Sequence, residues 1–201
     1  MPVDHRNAWT KKAEIDYFNP FLSLWLACNS WYKVHYGEVQ SRDREFINKI
    51  KFDITGRNQL GRRFKRLIDK DGKDGLSFRS NLEQLHYALE QAVLHPKEDD
   101  ELFRCSFHQA ITDEANHTNY QDLIKTPRIN ADGNVNGNDE DDVHKLDSIY
   151  IVSDFDTFFS GLFEVIYSVR NMLVHGSLNP DKAEHEVVKY CYLILWDLMD
   201  F

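Results

Sequence analysis

The stretch DFDTFFSGLFEVIYSVRNMLVHG, Asp154 to Gly176, decides how this chain folds. Phe155, Phe158, Phe159, Leu162, Ile166, Val169 and Leu173 recur at steps of three and four, the spacing that lines one face of an α-helix. Asp154 or Ser153 is placed to cap its first turn, and Gly176 stands where a left-handed residue usually ends a helix. Working outward, Asn179-Pro180-Asp181 gives a cap, a proline at the first helical position and an acid in the first turn. A last helix then follows on Val187, Cys191, Ile194 and Leu198. Immediately upstream, Ser148 to Val152 is apolar and reads as a short extended piece or a lead-in to the long helix.

A second strong helical segment runs from Glu14 to Tyr36, with Phe18, Phe21, Leu22, Trp25, Cys28, Trp31 and Tyr32 in phase and Pro20 in its first turn. Leu24, Leu26 and Ala27 fill the remaining sides, so this helix is expected to lie centrally. Between the two segments we expect a basic helix over Ser41 to Asp53 with Ser41 as its cap, and a short amphipathic piece from Leu60 to Ile68. A turn cluster follows at Asp69 to Gly75, then a helix from Ser77 to His95 stopped by Pro96, and another over Glu98 to Ala115. Thr126 to Asp142 is almost free of apolar residues and is expected to be a mobile surface loop. No segment alternates with a period of two over a length that builds a sheet. The fold class is therefore all-α, an up-and-down helical bundle in one domain over 1–201.

Composition narrows the functional classes. With 42% hydrophobic residues the chain can bury a sizeable core, yet no apolar run reaches the roughly 18 residues that span a bilayer. The polar start MPVDHRNAWTKK lacks the apolar stretch of a signal peptide, and Cys28, Cys105 and Cys191 stand apart without a C-x-x-C spacing. The expectation is a cytoplasmic protein in a reducing compartment, with no membrane partner. A net charge of −9 argues against a general nucleic-acid coat. Charge is uneven, however. Arg42, Arg44, Lys49, Lys51, Arg57, Arg62, Arg63, Lys65 and Arg66 face only Asp43, Glu45 and Asp53. Such a run is usually a solvated face; on the other reading, Arg42, Arg44, Arg62, Arg63 and Arg66 belong to a basic stripe for phosphates.

The chemistry-bearing stretch is R-N-M-L-V-H-G, Arg170 to Gly176. Arg170 is a permanent cation with a fork suited to phosphate, and His175 titrates near neutrality and can give or take a proton. Asn171 lies one turn before His175 and can orient the imidazole or a phosphate oxygen. Arg170 and His175 are about 140° apart around an ideal helix, so they share a site only where the long Arg170 side chain swings round or the last turn loosens at Gly176. A plainer reading has His175 capping carbonyls and Arg170 paired with Glu164 or Glu186. Asn29 is the one strongly polar residue in the apolar stretch Phe21 to Tyr32, and either satisfies a core hydrogen bond or supports the site.

R-N-M-L-V-H-G, taken with F-N-P-F-L-S-L-W-L-A-C-N-S-W-Y (Phe18 to Tyr32), resembles the HEPN family (higher eukaryotes and prokaryotes nucleotide-binding). The first stretch fits that family's R-x4-6-H signature with a polar residue after the arginine. The Phe18–Tyr32 stretch is similar to the family's aromatic first helix, with its W-x-A-x-N-x-x-Y pattern. The resemblance covers about half of the chain and leaves 40–150 unmatched, which it implies are extra helices inserted between the family's halves. It implies a metal-independent endoribonuclease of a bacterial defence or toxin-antitoxin type, with Arg170 and His175 as the catalytic pair near a homodimer interface and Asn171 as their polar partner. An antitoxin or regulatory partner belongs to the same expectation. Ser177 stands where toxin members with a modifiable tyrosine carry R-x4-H-x-Y, so that regulation is not expected. The alternative it implies is a non-catalytic module that binds a partner protein, a nucleotide or RNA.

Other signals are weaker. Asp132-Gly-Asn134-Val-Asn136-Gly137 matches the opening of a calcium loop, but Val143 stands where its bidentate Glu is needed. His86, His95, His108 and His117 form no H-E-x-x-H motif, so neither a metal nor another cofactor is expected.

Overall fold

Asp154 does cap the long helix: in the computed structural model its carboxylate accepts hydrogen bonds from the Asp156 and Thr157 amides. The structure describes residues 15–37, 42–53, 55–92, 105–108, 122–137, 139–179 and 182–201. Six α-helices account for most of the described residues: α1 (Phe18–Tyr36), α2 (Asp43–Phe52), α3 (Gln59–Asp69), α4 (Lys73–Gln91), α5 (Phe155–Val174) and α6 (Lys182–Met199). The fold is therefore essentially α-helical, with one small sheet. Helix α6 packs against both α1 and α4, α2 lies along α5, and α3 bridges α4 and α5. Buried side chains from all six helices and from the sheet form one continuous core. The helices between Asp43 and Gln91 are thus part of the same core as α1, α5 and α6.

Helix α5, not α1, is the central element. Every residue from Phe158 to Ile166 is buried, around the full circumference of the helix. On α1 the inward residues Phe21, Trp25, Cys28 and Tyr32 are fully packed, but Leu26 and Val34 are 66% and 83% exposed. An apolar composition on all sides did not place α1 centrally, because its outward side meets solvent at Ser23, Leu26, Ser30, Lys33 and Val34. Gly176 takes φ +67° as expected. The Gly176 amide donates to the Leu173 carbonyl and the Ser177 amide to the Met172 carbonyl, the paired bonds of a Schellman stop. Four aromatic rings fasten α5 to its neighbours: Phe158 stacks between Phe107 and Phe64, and Phe64 meets Phe78 of α4 edge-on. The turn from α3 into α4 is tight, and a Cβ at Gly75 would collide with the Lys70 carbonyl oxygen. Arg79 then donates to the Ile68 and Lys70 carbonyls that end α3.

The structure departs from the sequence reading at the sheet. Strands β1 (Ile124–Lys125), β2 (Val143–Leu146) and β3 (Ile149–Val152) form an antiparallel sheet in the order β1-β3-β2. Two to four residues per strand is too short for a period-two pattern to stand out. Ser148 to Val152, expected as extended or as a lead-in, is the central strand. The β2–β3 turn, with Asp147 at φ 37°, is tied to α4 because the buried Glu83 carboxylate accepts from the Ser148 amide and hydroxyl. The described residues of Thr126 to Asp142 are mostly exposed, and they are knit together. Ile129 bridges to Val135, the Asn130 side chain accepts from the Asp132 and Asn134 amides, and Arg128 pairs with Asp139. Helix α2 is preceded by Arg42 rather than capped by Ser41, which lies outside the described residues together with Pro96, Pro180 and Asp181. The helix expected over Glu98 to Ala115 also falls there, except for Cys105–His108, which form a bend and turn.

A carboxylate inside the fully packed part of α5 needs compensation, and Glu164 has it. Its two oxygens meet Arg44 at 2.6 Å and Lys51 at 2.7 Å, with the Lys51 side chain wholly buried. Removing one member of a buried ion cluster costs about 3–5 kcal/mol, because the remaining charges lose their partner away from water. Glu164→Ala should therefore lower the urea midpoint by that stability with an unchanged slope, whereas Asp156→Ala, which removes the exposed partner of Lys65, should shift it by less than about 1 kcal/mol.

Candidate functional site

The C-terminal turns of α5 emerge from the core. Exposure rises from buried Val169, through half-buried Arg170 to Leu173, to exposed Val174, His175 and Gly176. Arg170 keeps only 19% of its side chain exposed. One guanidinium nitrogen donates to Asn171 Oδ1 at 2.8 Å, and another lies 3.5 Å from Asp43 Oδ2 on α2. The guanidinium carbon sits 5.6 Å from the centroid of the Trp25 ring, where the ring face favours a cation. Neither Glu164 nor Glu186 is the partner of Arg170: Glu164 is held by Arg44 and Lys51, and Glu186 by Lys189. Asn171 is thus turned toward Arg170 through its side chain, while its backbone carbonyl accepts from the His175 amide. The His175 ring is exposed and makes no hydrogen bond among the described residues.

Three residues that the sequence reading did not assign complete this cluster. Trp25 and Tyr32 lie two turns apart on α1 and so face the same way. The Tyr32 hydroxyl is pushed well above its ordinary range, first by burial and then by the neighbouring Asp43 carboxylate, while Arg170 pulls the other way. Asp43 is the first residue of α2 and supplies the anion between them. The signal for Trp25 and Tyr32 was present, since both belong to W-x-A-x-N-x-x-Y; Asp43 carries no local signal. Trp25 Nε1 and Arg170 Nε are buried without a hydrogen-bond partner among the described residues, which concentrates polar cost in this cluster. Asn29, between the two aromatics in sequence, is half-buried and bonds neither Arg170 nor His175.

The basic stretch is largely spent on structure. Arg44 and Lys51 hold Glu164, and Arg44 also lies over the Tyr167 ring. Arg63 donates to the Asp197 carbonyl and pairs with Asp200, and Lys65 pairs with Asp156. Of the five arginines expected to hold phosphates, Arg42, Arg62 and Arg66 remain exposed, while Arg44 and Arg63 are engaged. Arg42 directly precedes Asp43 and so stands next to the Arg170 cluster. In the stretch resembling a calcium loop, Arg128 holds the Asp139 carboxyl below the usual range through a hydrogen bond. His95 and His117 lie outside the described residues, but the fold brings His86 and His108 together, with ring centroids 5.6 Å apart.

No protein-family model matches the chain, and no curated protein or solved structure matches it either. Among the described residues no helix is long and apolar enough to cross a membrane.

Trp25 and Asp43 flank Arg170 in different ways, and stability measurements should separate them. Trp25 is 1% exposed, so Trp25→Ala should cost about 3–5 kcal/mol through lost packing. The Asp43–Arg170 pair is long and partly solvated, so Asp43→Asn should stay within about 1 kcal/mol of wild type in the same urea titration.

Proposed function

We propose that this protein is a HEPN-like, metal-independent endoribonuclease of a defence or toxin-antitoxin type, working as a homodimer in the cytoplasm. The observation that carries the reading is the convergence of two separate motif stretches. Trp25 and Tyr32 of the aromatic first helix lie against the Arg170–Asp43 pair, on the helix whose end presents His175.

The chemistry follows from the groups. RNA supplies its own nucleophile, the ribose 2′-hydroxyl. As its oxygen bonds to phosphorus, charge builds on the non-bridging oxygens. The guanidinium of Arg170 stabilises that charge after exchanging the Asp43 carboxylate, 3.5 Å away, for phosphate. Asn171 keeps the fork oriented through its 2.8 Å bond. His175 in its protonated form gives a proton to the departing 5′-oxygen as the P–O5′ bond breaks, and the 2′-hydroxyl proton leaves to solvent or to the second histidine. The products are a 2′,3′-cyclic phosphate and a 5′-hydroxyl. Two protomers bring two Arg170/His175 pairs to one phosphodiester, and exposed Arg42 extends the cationic surface beside it. An antitoxin or regulatory protein would act by covering this end of α5.

The test is RNA cleavage by the purified chain in EDTA, with the product ends identified. His175→Ala and Arg170→Ala should each lower cleavage by at least about 100-fold, the scale of losing a general acid or a charge-stabilising donor. Undiminished cleavage by His175→Ala would overturn the proposal. A wild-type chain that binds RNA but leaves it intact would establish the non-catalytic binding module instead. Light scattering should give twice the protomer mass.

A further inference from the structure

We propose that His86, Glu90 and His108 form a binding site for a divalent transition metal of the zinc type. His86 and Glu90 are one turn apart on α4 and share a face. His108 comes from the turn that follows Cys105, 18 residues further along the chain than Glu90. One ligand atom from each of the three lies within 4.8 Å of the others. His108 Nε2 is 3.7 Å from Glu90 Oε1, close to the roughly 3.4 Å that separates two ligand atoms around tetrahedral zinc. Two imidazoles and one carboxylate suit zinc, and leave a fourth position for water.

Three further observations favour a metal over a chance grouping. The second ring nitrogen of His108, Nδ1, lies 3.3 Å from Asp122 Oδ1. That is the carboxylate–histidine arrangement that fixes the tautomer of a metal ligand, leaving Nε2 to coordinate. His86 is 92% buried, and its Nδ1 has no hydrogen-bond partner among the described residues. A buried polar nitrogen left unpaired is costly unless something binds the ring. The geometry is also supported from behind. Phe107, next to His108, is buried between the His86 ring and Phe158 of α5, so the turn that carries the third ligand is anchored in the core. The metal would staple α4 to the Cys105–His108 turn, with Asp122, just before β1, holding His108 from behind. None of these residues belongs to the Arg170 cluster, so metal binding and RNA cleavage are read by different variants.

The experiment is zinc titration of the metal-free full-length chain by calorimetry, with cobalt as a spectroscopic probe. One equivalent should bind, cobalt should give the intense visible absorption of a four-coordinate site, and zinc should raise the unfolding temperature. Glu90 and His108 have exposed side chains, so Glu90→Gln and His108→Ala keep the packing and should weaken binding by more than about 100-fold. Asp122→Asn, which touches only His108, should weaken it by about 10–100-fold. Zinc affinity equal in wild type and in the Glu90→Gln/His108→Ala double variant, or a cobalt spectrum of six-coordinate character, would overturn the proposal.

Discussion

The structure depends on how a carboxylate is accommodated within the most deeply packed part of the molecule. Helix α5 is buried on every side from Phe158 to Ile166, and Glu164 falls inside that span. A lone ionised carboxylate there would be prohibitively desolvated. Arg44 and Lys51, seven residues and two turns apart on α2, bring two cations to it from one face of that helix. Their engagement fixes α2 antiparallel along α5: Lys51 meets Glu164, Arg44 reaches Glu164 and covers Tyr167, and Asp43 meets Arg170. The Arg170 environment is therefore set by an ion cluster one and a half turns away. A buried network of this kind adds little net stability over an apolar one, but it sets register, because a slipped α2 would leave charges unpaired.

The same feature explains what was legible in the sequence. Local signals read well: the Asp154 cap, the apolar stripe of α5, the stop at Gly176 and the buried positions Val187, Cys191, Ile194 and Leu198 of α6 are all decided by residues within a few positions of one another. The bond between the neighbouring Arg170 and Asn171 side chains is of the same local kind. Asp43 was not legible, because its meeting with Arg170 is a consequence of how two helices pack. Five arginines of 42–66 were candidates for phosphate because composition records charge and not partners; Glu164, Asp156 and Asp200, which engage four of the cations in that run, all lie about 90 or more residues away. The histidine pair eluded a search for H-E-x-x-H because its two members come from different segments. Strands β1 and β2 were missed since each is shorter than the window in which alternation can be told from chance, whereas the apolar run of β3 was read as extended or as a lead-in.

Helix α5 also shows why a polar cluster can be precise at the edge of a protein. Its first half is fastened by Phe158, Phe159, Leu162 and Phe163, and by the Glu164 ion cluster, and so has no freedom to rotate. Its last turns carry the polar residues and are only partly buried, with Met172 and Leu173 still packed against the core. Arg170 and Asn171 are positioned as the rigid continuation of a helix that is anchored further back, with Trp25 as the one large surface beneath the guanidinium. At His175 the helical bonding ends and Gly176 reverses the chain, so the imidazole inherits a defined origin but not a defined partner. An exposed titratable ring at the end of an immobilised helix is well suited to meet a group supplied from outside the subunit. The rest of the molecule places that ring and leaves its chemistry to whatever arrives there.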